Sequence, residues 1–136
     1  MNKLWQIDFS DEYLTNIEII DDGHKKVAEM ANRLFEMSAD INTKESDLIA
    51  EIEETKGVIL KHFEDEITIY KQHGLPDVEK HVIQHKVMSD YLNDLDLNNY
   101  PVVVKALMTN QLVLHYLMKH LFFDDKKCIK QLKDIV

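Results

Sequence analysis

Between His62 and His85 the chain reads HFEDEITIYKQHGLPDVEKHVIQH, and this stretch restricts the possible folds more than any other. His62 and Glu66 stand four residues apart, a Gly-Leu-Pro break follows, and His81 and His85 again stand four apart. Four residues is about one helical turn, so each pair projects from one face of its helix, one side chain above the other. Two helices joined by a tight break at Gly74 and Pro76 are expected to run antiparallel and to bring those faces together across a core. Three imidazoles and a carboxylate then point into one space, a ligand set suited to iron, manganese or zinc.

Seven histidines in 136 residues make one accidental pair at a spacing of four unsurprising, and glutamate is abundant. The weight lies in the surroundings. Both pairs flank the same break, and Ile59, Phe63, Ile67 and Tyr70 flank the line of His62 and Glu66, which therefore runs within an apolar stripe. Burying a charged carboxylate there without a partner would cost several kcal/mol, so a partner is expected.

With only three Gly and two Pro, the chain has few turns to spend, and its Ile, Leu, Lys, Glu and Asp favour helix. Residues 1–136 are expected to form a single domain, all-α, long enough for one core. A formal net charge of −9 disfavours nucleic acid and anionic membrane surfaces as partners. No apolar run is long enough to cross a bilayer, and the N-terminus lacks the order of a signal peptide. The single cysteine, Cys128, has no internal disulfide partner, which fits a cytoplasmic location; packing is its default role.

Residues 1 to about 16 carry Trp5, Ile7, Phe9 and Tyr13 at near-alternating positions and read as an extended N-terminal arm covering one end of a bundle. A first helix is expected from near Ile17 or Asp21, because Val27, Met30, Ala31, Leu34 and Phe35 recur at helical intervals. His24 lies on that apolar face and points inward. A second helix is expected from about Thr43 to Gln72, with Asn42 as N-cap and Glu45 closing a capping box. Gly57 in its middle suggests close approach of a neighbouring backbone. The third helix opens with Pro76, Asp77 and Glu79 in its first turn and fades by Asp94; the fourth starts at Pro101.

On the fourth helix His120 has the apolar neighbours Tyr116, Leu117 and Phe123 and is taken as the inward histidine. His115 lies about 140° away around the helix and is read as solvent-facing or at the bundle rim, and His73 as a helix-end residue. Asp125 is also about 140° from His120 and converges with it only if its side chain reaches back, which the helical wheel leaves open.

Taken together, these residues resemble the hemerythrin family. The resemblance covers nearly the whole chain: a Trp in the arm, I-D-x-x-H ending at His24, H-F-x-x-E at His62, Phe63 and Glu66, H-G-x-P at His73, Gly74 and Pro76, H-x-x-x-H at His81 and His85, and H-x-x-x-x-D-K-K from His120 through Asp125 to Lys127. The family fold it implies is an up-down-up-down antiparallel four-helix bundle, for which a close relative, myohemerythrin, is a standard example. It further implies a non-haem di-iron site, oxo- or hydroxo-bridged, that binds O2 reversibly for storage, delivery or sensing. By position, one iron would take His81, His85 and His120, the other His24 and His62 with a coordination position left open, and Glu66 and Asp125 would bridge both. Phe63, Tyr116, Leu117 and Leu121 would wall the O2 pocket. The length is similar to that of the bacterial branch, whose members stand alone or are fused to sensory domains.

Two positions depart from the family pattern. Gly23 stands where Gln is common, which removes an amide and is expected to loosen that helix start. Tyr116 stands where Trp is frequent, bringing a hydroxyl near the pocket and, with it, an expectation of faster autoxidation. A di-iron enzyme reducing O2, peroxide or nitric oxide is the alternative reading, since the same iron pair turns over if electrons are supplied. The absence of any Glu-x-x-His pair argues against a ferritin-like oxidase. A third reading is a helical interaction module in which the histidines hold zinc or nothing.

Overall fold

The computed structural model describes residues 6–7, 17–74, 78–97 and 99–116, and among them the only regular elements are four helices. They are α1 (Glu18–Ala39), α2 (Glu45–Gln72), α3 (Val78–Leu97) and α4 (Val102–Tyr116). The chain is therefore all-helical over these residues, with packing of the kind found in helical bundles. None of the described helices is long and apolar enough to cross a membrane.

Each helix buries residues three and four apart. On α1 these are Ile20, His24, Val27, Ala31 and Leu34; on α2 they are Ile52, Thr55, Ile59, His62, Phe63, Glu66 and Tyr70. The buried side chains form layers. Ile20, Tyr70 and Val78 close one end, and Leu34, Leu48, Ile52 and Ala106 pack at the other. Between them lies the main cluster, which includes Val27, Ala31, Ile59, Phe63, Met88, Leu92, Val113 and Tyr116. Contacts fall in opposite order along successive helices. His24 meets His62 and Arg33 meets Glu51 between α1 and α2, while Tyr70 meets His81 and Phe63 meets His85 between α2 and α3.

Two asparagines lock elements together through the backbone. Asn110 Nδ2 donates to the Ala31 carbonyl (2.6 Å), tying α4 to α1. The Ile7 N–H donates to Asn32 Oδ1 (2.7 Å) and Asn32 Nδ2 donates back to the Ile7 carbonyl (2.6 Å), so a short stretch ahead of α1 is held at two points with Ile7 in the core. Trp5, Phe9 and Tyr13, the aromatics of the expected arm, lie outside the described residues.

Three local expectations are corrected. Helix α2 starts at Glu45, two residues after Thr43, with Lys44 at the N-cap and no side-chain cap. The Asn42 capping box does not form because Asp40 organises the turn: its Oδ1 accepts from the Asn42 N–H (2.9 Å) and its carbonyl from the Thr43 N–H (3.1 Å). Helix α3 continues past Asp94 to Leu97, held by buried Leu92 and Leu95. Gly57 faces open space, with nothing within 4 Å of where a Cβ would lie, so no backbone approaches it. The break after α2 behaves as expected at Gly74, whose φ of 63° is the left-handed conformation that ends helices and suits glycine. Pro76, at the opening of the third helix, falls outside the described residues.

Candidate metal centre

Between the end cluster and the main cluster lies a polar layer. His24 follows Ile20 by one turn and precedes Val27; Glu66 lies between Phe63 and Tyr70; His81 follows Val78, and His85 precedes Met88. The apolar periodicity of three helices thus carries these side chains inward, where His24 and Glu66 have no exposed surface at all. His62, His81 and His85 are buried with them.

Glu66 is the shared element. Its Oε2 lies 2.9 Å from His62 Nε2 and 3.4 Å from His24 Nε2. Its Oε1 lies 3.3 Å from His85 Nε2 and 3.7 Å from His81 Nδ1. Two groups result, His24 with His62 and Glu66, and Glu66 with His81 and His85, in each of which ligand atoms gather within 4.8 Å of one another. These groups could hold a metal ion.

The donor set and its spacing fit such an ion. Two ligand atoms each about 2.1 Å from one metal stand roughly 3.0 Å apart at a right angle and roughly 3.4 Å apart at the tetrahedral angle. The contacts of Glu66 span that range. His62 adds a second indication: at 2.9 Å its Nε2 is close enough to Glu66 for a hydrogen bond but not oriented for one, and neither of its ring nitrogens makes a hydrogen bond. The buried hydroxyls of Thr55 and Thr109, by contrast, donate to the carbonyls of Glu51 and Lys105.

Aromatic rings fix the imidazoles from outside. Phe63 stacks on His85, with ring centres 4.2 Å apart and planes 6° from parallel. Tyr70, fully buried, packs on His81 at 4.9 Å, and His24 and His62 meet edge-on at 4.4 Å. Tyr116 meets Phe63 at 5.1 Å and lies 6.5 Å from His85. Of the four expected pocket residues, Phe63 and Tyr116 thus lie together beside the histidines; Leu117 and Leu121 fall outside the described residues. So do two of the expected ligands, His120 and Asp125. His73 and His115 are exposed, away from the cluster, as their positions suggested.

Gly23 and Tyr70 have parts in the site that the sequence reading did not assign. Gly23 does not loosen the start of α1, which begins five residues earlier at Glu18. It makes room for His62: a methyl group at position 23 would overlap Nδ1 of that ring and come 3.1 Å from its Cε1. The available signal was a glycine inside a helix immediately before a candidate ligand. Tyr70 was read only as an apolar flank, although its spacing of four from Glu66 puts it one turn beyond the cluster.

No family model matches the chain, and no curated protein or solved structure matches it at a significant level.

Proposed function

We propose that this chain is a hemerythrin-like protein that binds O2 reversibly at a di-iron centre inside an up-down-up-down antiparallel four-helix bundle. The observation that carries the reading is the position of Glu66, one buried carboxylate whose two oxygens face two separate histidine pairs. A single ion needs only one such group; a carboxylate turned to both sides suits two ions held close together. The opposite order of contacts along successive helices supports the bundle topology.

In this reading His24 and His62 would hold one iron and His81 and His85 the other, with Glu66 shared between them; His120 and Asp125, outside the described residues, are added to the ligand set by the resemblance. The imidazole and carboxylate donors suit iron, and an iron pair supplies two one-electron donors for reversible O2 binding. The protein residues orient and protect. Phe63 holds the plane of His85 by stacking, and Tyr70 packs against His81 with its ring tilted. Phe63 and the ring of Tyr116 stand beside His85, where they would shield a bound ligand from bulk water; Leu117 and Leu121, outside the described residues, are assigned to the same wall by the resemblance. Burial of the whole polar layer also strengthens its electrostatic interactions relative to water.

The test is iron analysis combined with cycles of deoxygenation and reoxygenation of the reduced protein. Two irons per chain that survive repeated cycles in the ferrous state support an O2 carrier or sensor. Steady consumption of O2, peroxide or nitric oxide with a supplied reductant would instead mark a di-iron enzyme.

A further inference from the structure

We infer that the groove between α1 and α2 over Gly23 is the port through which a divalent cation enters the buried centre, an inference that rests on the metal-binding reading above. The groove has a volume of about 770 Å³, and its floor includes Gly23, Gly57 and His62. Four carboxylates line it, Glu18, Asp22, Glu54 and Asp65, against the two ammonium groups of Lys26 and Lys61. Lys61 is held by Asp65 at 2.6 Å, which leaves Glu18, Asp22 and Glu54 facing only Lys26, a net acidic balance. An acidic cleft over low-dielectric walls concentrates cations and speeds their association.

The groove leads to a built receiving group. His62 is 3 % exposed, its Nδ1 makes no hydrogen bond, and that nitrogen lies against Gly23 where both residues line the groove. The other nitrogen of the same ring is 2.9 Å from Glu66. One imidazole therefore spans from the groove to the carboxylate shared by both histidine pairs. The two glycines have different parts: at Gly57 the space is vacant and the groove stays open, while at Gly23 the missing side chain lets the His62 ring come up to the groove. A buried metal site needs such an entry path.

The experiment follows uptake of Fe²⁺, added anaerobically to the metal-free full chain, by stopped-flow. Gly57→Leu adds an apolar side chain to the lining of the groove at a position where nothing lies within 4 Å of the Cβ. This variant should slow uptake about tenfold while reaching the same final stoichiometry. Asp22→Asn combined with Glu54→Gln should slow uptake about tenfold at low ionic strength, within the range for electrostatic steering, with the difference shrinking as salt is raised. Chelator-driven loss of iron from the loaded protein should slow in parallel in Gly57→Leu. Uptake rates equal to those of the parent chain in both variants would overturn the port and leave the metal reading standing. No uptake by the parent chain would overturn both.

Discussion

The rings of Phe63 and His85 stack at 4.2 Å with their planes 6° apart, so an apolar side chain of α2 sets the orientation of a candidate ligand on α3. Phe63 is also part of the main core cluster. Phe63→Ala should therefore act twice. Stability should fall by about 3–5 kcal/mol, as for other buried Phe truncations, measured by urea unfolding. The reduced protein should also oxidise faster in air, because the opened space admits water beside His85. An unchanged oxidation rate would remove Phe63 from the pocket wall.

Tyr116 contributes the other aromatic face, packed edge-on against Phe63 at 5.1 Å. Its hydroxyl is the one polar group that a Phe at this position would lack. Tyr116→Phe should slow autoxidation by removing a proton donor beside His85. The check is the decay rate of the oxygenated spectrum, and a variant that decays no more slowly contradicts the assignment.

How far the site was legible depended on whether a residue's role follows from its spacing. His62 with Glu66 and His81 with His85 each repeat at one helical turn within apolar stripes, and His24 recurs with Val27 and Ala31; such periodicity gives direction, and all five are buried together. Glycine carries no such direction. Gly57 and Gly23 both lie inside helices, but the first faces open space and the second makes room for an imidazole from the next helix, a difference that exists only between elements. The four helices followed from composition and period, whereas the α2 start did not, because Asp40 takes the Asn42 N–H that Glu45 would need to close a capping box. His120, taken as inward from its apolar neighbours, and Asp125, assigned by the resemblance, lie outside the described residues.

Glu66→Gln tests whether one carboxylate ties two ions together. The substitution keeps the shape but removes the negative charge and one good anionic oxygen. Two ferrous ions carry four positive charges, so the loss weighs heavily in a buried site. The variant should bind fewer than two irons per chain or lose its O2-dependent absorption. His73→Ala and His115→Ala, both at exposed positions, should do neither. Full iron content and normal oxygenation in Glu66→Gln would rule out the bridge.

Metal and fold should be coupled. Four buried imidazoles and a shared carboxylate are brought together only in the folded chain, so an ion they bind stabilises the fold and the metal-free chain should unfold at a lower temperature than the iron-loaded one. Acid should release iron, because protons compete with the metal for imidazole and carboxylate and affinity falls as pH falls. Equal melting temperatures with and without iron would contradict this coupling.

The central claim is tested most directly by the visible spectrum of the reduced, iron-loaded protein before and after exposure to air. The account predicts a new absorption on oxygenation that disappears when O2 is removed and returns on the next exposure, with two ferrous ions per chain recovered after each deoxygenation. An irreversible change with loss of ferrous iron on first exposure, or no change in a chain carrying two irons, would contradict it.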